Sequence, residues 1–325
     1  MNNKLSSKEL NAIIILSVLG FNILLLPKIC GNIMSVLLAV VAGLLLMIIA
    51  IYSSIDIYSN KVWKVLYFAK NMFVIILLIR ILSDAISKVM LREMNIHLII
   101  IMITLLVIYC GFKGIEVIGR ISQFLFWFIL IGSLYVYFMS VQDLEIKYIT
   151  LNINGVNPYA FLYGFLINTS EIVILTKDNM KESKHKLLKS AFLSSGILLL
   201  LSLIIVGKIG EIGINNVTYP SFELIYTADL PNYFIKRQEG IFLSLWIISS
   251  FITLFVYSFS VHNIVKTVTD NKVLAPLFVL IIVLIFIFFY NTPSSTIKDY
   301  CILQIFMGIF TGFIIPLCYL GRKLE

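Results

Sequence analysis

Ser249, Thr253 and Tyr257 recur at four-residue steps, and Ser260 follows three residues later. On a helix that spacing puts all four hydroxyls in one stripe. Inside a bilayer such a stripe must face protein or water. It suits the wall of a small-ligand pocket, and a packing seam of small and hydroxyl residues accounts for it as well. Two interruptions of apolar sequence carry polar groups at comparable depth. Gly20, Phe21 and Asn22 fall in the middle of an apolar run that closes at Pro27. Gly164, followed by Asn168, Thr169, Ser170 and Glu171, interrupts another. A charge at the bilayer centre costs at least roughly 2.5–3.5 kcal/mol on insertion scales, so Glu171 marks a place to look for function. If both runs unwind at these points, N–H groups of one half-helix and C=O groups of the other face a shared cavity. Such a cavity is complementary to a carboxylate at one end and an ammonium or cation at the other. A zwitterion such as an amino acid satisfies both. Close helix packing is the alternative for Gly20 and Gly164. Glu171 fits a proton carrier, a partner for a ligand ammonium or a structural acid. Its nearness to Lys177 also allows it to snorkel toward cytoplasmic water.

Other chemistries lack their equipment. No G-x-x-x-x-G-K-[ST] loop, G-x-S-x-G elbow or H-E-x-x-H helix occurs, so neither nucleotide-driven pumping nor the familiar hydrolases are indicated. His97, His185 and His262 stand far apart, and Cys30, Cys110, Cys301 and Cys318 show no paired spacing. No catalytic residues, metal ligands or cofactor are therefore predicted, and the chain is not read as an enzyme.

The elements that position these residues follow from composition. Of 325 residues 60% are hydrophobic and only 13% charged, and the mean hydropathy is +1.01. That is about half the charge of an ordinary soluble domain. At roughly 20 apolar residues per crossing, the runs predict an all-α integral membrane protein of ten transmembrane spans. They cover residues 10–26, 33–57, 65–85, 96–110 and 121–139, then 160–175, 187–206, 241–261, 274–290 and 300–320. The chain reads as one membrane domain with two five-helix halves, 1–150 and 151–325, whose first spans are the two weakened ones. That arrangement is the sequence pointer to an inverted repeat with broken helices one and six. With the N-terminus inside, cytoplasmic segments hold fifteen of the 25 Lys and Arg, and outer segments eight. The positive-inside rule then places both termini in the cytoplasm. The first span is expected to be retained, since no small-x-small cleavage site follows it.

Smaller features complete the reading. Arg80 and Asp84 are spaced for an ion pair in the outer half of span three, and Lys70 and Asn71 sit near its inner end. Pro220 precedes a stretch, Ser221 to Ala228, that suits a short helix with proline in its first turn. It is either a lid over the outer face or an ordinary loop. Gly308 and Gly312 form a G-x-x-x-G packing signal in span ten.

Three stretches resemble a known family. They are Leu25-Leu26-Pro27 closing span one, the polar break with Glu171 in span six, and Lys236-Arg237-Gln238-Glu239-Gly240-Ile241-Phe242-Leu243-Ser244-Leu245-Trp246 entering span eight. The chain is similar along nearly its whole length to the spore germination permeases, the B subunits of nutrient germinant receptors. These lie within the amino acid, polyamine and organocation transporter superfamily. The resemblance implies a five-plus-five inverted repeat (LeuT-like) with a ligand pocket among spans one, three, six and eight. Thr253 and Tyr257 match a Thr and Tyr that contribute to that pocket in relatives. Gly20, Phe21, Asn22, Gly164, Asn168, Thr169 and Glu171 supply the broken-helix side, and Ser249 extends the stripe. The resemblance further implies a germinant receptor sensing a small nutrient, an amino acid first of all. It also implies A and C partner subunits and a place in the bacterial plasma membrane or the inner membrane of the spore. The competing expectation is a secondary amino-acid transporter coupled to H⁺ or Na⁺.

Overall fold

A computed structural model describes residues 5–53, 61–91, 93–141, 184–226, 238–267 and 306–316, together with Tyr148, Asn157 and Cys318. In chain order the helices are α1 (Ser7–Cys30), α2 (Ile33–Tyr52), α3 (Lys61–Val89), α4 (Ile96–Lys113), α5 (Ile115–Ser140), α6 (Lys184–Asn216), the short α7 (Pro220–Tyr226) and α8 (Gln238–Lys266). A π-helical turn, Phe310–Ile314, lies in the last described segment. Among the described residues seven helices are long and apolar enough to cross a membrane. They coincide with expected spans one to five, seven (α6) and eight (α8). Spans six and nine fall outside the described residues, and span ten is described only in part.

α1 is the axis of the bundle. Its start is fixed by a capping box: Ser6 Oγ accepts from the Glu9 N–H, while the Glu9 carboxylate accepts from the Ser6 N–H at 2.8 Å. From Leu10 onward nearly every side chain is apolar, so no face is reserved for water and the helix is buried on all sides. It packs against α2, α5, α6 and α8. α1 and α6 run parallel. Near their starts Ser190 donates to Asn11 at 2.6 Å, and near their ends Lys28 Nζ donates to the carbonyls of Ile214 and Asn215 at 2.9 and 3.0 Å. A lysine on the last carbonyls of a helix also meets the negative end of its dipole. Just before that end, α6 kinks at Gly210, where φ is +73° and the Tyr148 ring fills the space a side chain would need.

The expected break in span one is not there: α1 is a continuous α-helix through Gly20, Phe21 and Asn22. Each apparent fault is accommodated without unwinding. Asn22 Nδ2 turns back to the Val18 carbonyl at 2.6 Å, a local bond that satisfies the amide inside an apolar helix. Gly20 is a site of close approach to α8. Pro27 cannot donate to the Ile23 carbonyl four residues earlier, and Ser221 of α7 donates to it instead at 2.6 Å. The helix therefore survives its proline for one more turn and ends at Gly31, φ +76°, whose N–H bonds the Pro27 carbonyl.

α4 and α5 turn apolar side chains outward: Leu98, Met102, Leu105, Phe124, Trp127, Phe128 and Ile131 are all exposed. In water such a surface would be a defect; against hydrocarbon it is the required one. α8 is enclosed by α1, α3, α4 and α5.

Candidate functional site

The stripe predicted on span eight is real, and its Ser249 and Thr253 face α1. Ser249 Oγ donates to the Leu16 carbonyl at 2.8 Å. Thr253 Oγ1 donates to the Ser17 carbonyl at 3.2 Å and shares its proton with the Ser249 carbonyl at 3.3 Å. About one turn earlier on α8, the Trp246 indole donates to the Gly20 carbonyl. Three successive side chains of α8 thus hydrogen-bond the backbone of the middle of α1, at the level where the sequence predicts a binding site. The helices can approach this closely because Gly20 has no side chain. A Cβ there would lie 2.9 Å from both the Ser249 carbonyl oxygen and Thr253 Oγ1.

Phe21 and Asn22 flank this seam on α1, and Phe21 meets Trp246 edge to face with ring centroids 6.1 Å apart. Tyr257 is buried on the same stripe, and at its C-terminal end Asn71 Nδ2 of α3 donates to Ser260 Oγ at 2.8 Å. Of the predicted site residues, the structure therefore brings Gly20, Phe21, Ser249 and Thr253 together, with Asn22 and Tyr257 buried on the same two helices. Gly164, Asn168, Thr169 and Glu171 lie outside the described residues.

The seam is rich in oxygen. Carbonyls of Leu16, Ser17 and Gly20 and hydroxyls of Ser249 and Thr253 converge within two turns, and the Ser17 hydroxyl is buried with no hydrogen-bond partner among the described residues. Such a surface can receive an ammonium group or a small cation if α8 gives up its bonds. Among the described residues no group of three or more His, Cys, Asp or Glu could hold a metal ion.

Lys70 and Asn71, placed by the sequence near the inner end of span three, are both enclosed, with Tyr67 alongside donating to the Thr311 carbonyl of the π-helical turn at 2.8 Å. Asp84 pairs with Lys88 at 2.8 Å, one turn after it, rather than with Arg80 one turn before. Its carboxylate also accepts from Tyr219 at 2.6 Å. Burial and the neighbouring Asp84 carboxylate push the Tyr219 phenol well above its ordinary range, so it remains a proton donor. Replacing Asp84 by alanine is expected to lower stability by about 1–3 kcal/mol, the cost of leaving that buried hydroxyl unpaired. Asp84→Asn keeps an acceptor and should cost less. Thermal unfolding in detergent checks both; an alanine variant as stable as the parent would show that the link does not hold α3 to the α7 segment.

Trp246 is the seam residue that spacing alone did not single out. The signal was present, since it precedes Ser249 by three residues and so extends the hydroxyl stripe by one turn.

Comparison with known proteins bears on the family and the fold. The spore germination protein family, the spore permeases, matches residues 4–297. Spore germination protein A2 of Bacillus subtilis (strain 168) is 24% identical over 194 residues, 58% of this chain and 53% of that protein. Spore germination protein YndE of the same organism is 21% identical over 208 residues, 62% of this chain and 57% of that protein. The chain thus spans a little over half the length of these curated relatives. Among solved structures, Mhp1, a nucleobase-cation-symport-1 family transporter in a closed conformation with bromovinylhydantoin bound, superposes with a TM-score of 0.56. It is 14% identical, and the match covers 93% of this chain and 75% of that one. The helices around the α1–α8 seam are arranged as in a membrane transporter, and the family match runs through all of them: the chain is an integral membrane protein belonging to the spore germination permease family.

Proposed function

We propose that this chain is the B subunit of a nutrient germinant receptor: it binds a small nutrient, an amino acid first of all, at mid-membrane and signals to A and C partner subunits to start germination. The observation that carries this reading is the α1–α8 seam, where α8 side chains occupy backbone carbonyls of α1 at Leu16, Ser17 and Gly20. An amino acid's ammonium group carries enough donors to replace those bonds, and its arrival must then move α8 relative to α1. A ligand shifts a conformational equilibrium only through unequal affinity for the two states, and exchanging donors on the same carbonyls supplies that inequality. The site is completed by Phe21, Asn22 and Tyr257 and, from span six, by Gly164, Asn168, Thr169 and Glu171. In this reading the two halves of the chain form an inverted repeat of ten helices in all. Both termini are cytoplasmic, and the membrane is the bacterial plasma membrane or the spore's inner membrane. The solved transporter with bromovinylhydantoin bound supports a small-molecule pocket in this fold.

The second reading is a secondary amino-acid transporter coupled to H⁺ or Na⁺. The convergence of carbonyl and hydroxyl oxygens on one seam favours it, since a small cation needs such a shell. Purified chain reconstituted in vesicles with labelled amino acids separates the two. Saturable binding without gradient-driven uptake is the expected result; uptake that follows a Na⁺ or H⁺ gradient, without partner subunits, would establish the transporter instead.

A further inference from the structure

α7 is a seven-residue helix, too short to hold itself together in isolation. It is nevertheless inserted rather than laid on the surface: Ser221, Phe222, Leu224 and Ile225 are all buried. Polar contacts tie it to α1 and to α3. The first is the bond from Ser221 Oγ to the Ile23 carbonyl, available because Pro27 provides no N–H to that oxygen. The second, one residue before the helix begins, is the bond from Tyr219 to buried Asp84, whose other partner, Lys88, has its side chain 47% exposed. Between these catches runs a continuous line of rings. Tyr219 meets Phe222 at 5.6 Å, Phe222 meets Trp246 at 5.3 Å and 85°, and Trp246 meets Phe21 at 6.1 Å. The indole, third in that line, also holds the Gly20 carbonyl.

We propose that α7 is a strap that carries the state of the α1–α8 seam to the outer face. When Trp246 leaves Gly20, Phe222 loses its packing partner, Ser221 comes off the Ile23 carbonyl, and the Tyr219–Asp84 bond at the exposed end of α3 loosens with it. The proline of α1 has a specific part in this. It turns an ordinary helical carbonyl into an external catch, so that α7 is bound to the same helix whose middle lines the seam. This inference rests on the receptor reading for what moves the seam, but the coupling itself can be tested without any nutrient.

The chain has three tryptophans, so Trp63→Phe with Trp127→Phe leaves Trp246 as the sole emitter. In that background Ser221→Ala and Tyr219→Phe are each expected to shift Trp246 emission to the red and to raise its acrylamide quenching about two-fold or more, with no ligand added. Ser221→Thr, which keeps the hydroxyl, should restore the parent signal. Unchanged emission and quenching in both variants would overturn the strap, whatever the effect of nutrients. Shifts in the variants but none on adding a mixture of amino acids would leave the strap standing and count against the receptor reading. Amide hydrogen exchange in the unaltered chain gives a reading free of mutation. Residues 219–226 should exchange together and faster than residues 246–257, and equal protection of the two would also overturn the proposal.

Discussion

Gly20→Ala is expected to destabilise the protein by about 1–3 kcal/mol, the usual cost of forcing extra volume into a packed core. It should also abolish the nutrient response. The added Cβ would fall 2.9 Å from the Ser249 carbonyl oxygen and from Thr253 Oγ1, and 3.0 Å from the Ser249 carbonyl carbon. Two of those atoms are backbone and cannot swing aside, so α8 itself must move away from α1. That displacement would stretch the Ser249, Thr253 and Trp246 bonds to α1 at once, which is why one methyl group should have an effect beyond its size. Gly196→Ala on α6 is the internal control. Nothing lies within 4 Å of its Cβ position, and a mid-helix alanine is better than glycine by up to about 1 kcal/mol. Thermal unfolding of the two variants in one detergent should therefore move in opposite directions. A Gly20→Ala protein that unfolds at or above the parent's temperature would mean that the seam is looser than the distances require.

Thr253→Ala and Tyr257→Phe are expected to weaken the nutrient response roughly ten-fold or more each, equivalent to about 1.4 kcal/mol of lost interaction with the ligand. Protein abundance should hardly change. Hydrogen bonds between membrane helices average only about 0.6 kcal/mol, so losing the bond from Thr253 to the Ser17 carbonyl does not by itself threaten the fold. The contrast between a large functional effect and a small effect on stability separates a ligand wall from a packing seam. Germination dose–response curves, read beside immunoblots of the same spores, make the comparison. Unchanged responses for both variants would remove α8 from the site.

Much of this arrangement was legible in the sequence because membrane insertion imposes strong local rules. Apolar runs of span length gave α1 to α5, α6 and α8. The four-residue spacing of hydroxyls gave the stripe, and Pro220 gave the start of α7. What failed in α1 was the inference from polar interruption to a broken helix. Gly20, Asn22 and Pro27 look like faults when α1 is read alone. Each is repaired by a bond or contact, and two of the three repairs come from residues about 200 positions away. Ser221 on the Ile23 carbonyl is the clearest case, since nothing near Pro27 in sequence announces it. Lys70 illustrates the same limit. A lysine five residues into a predicted span is within reach of the interface, and whether it gets there depends on neighbouring helices that enclose it here. The Asp84 pairing, by contrast, was recoverable. Arg80 and Lys88 are equally spaced on either side of it, but an acid preceding its base by four residues is the better orientation on a helix, and that is the pair that forms.

The central claim is that a small nutrient acts on the middle of α1 by competing for the carbonyls that α8 now holds. Backbone hydrogen exchange over residues 16–24, measured on the reconstituted chain with and without a saturating mixture of amino acids, addresses it most directly. The account predicts that exchange changes across this stretch and across the facing residues 246–257, and stays the same in lipid-facing α4. Saturable binding of a labelled amino acid that leaves residues 16–24 unaltered would contradict it.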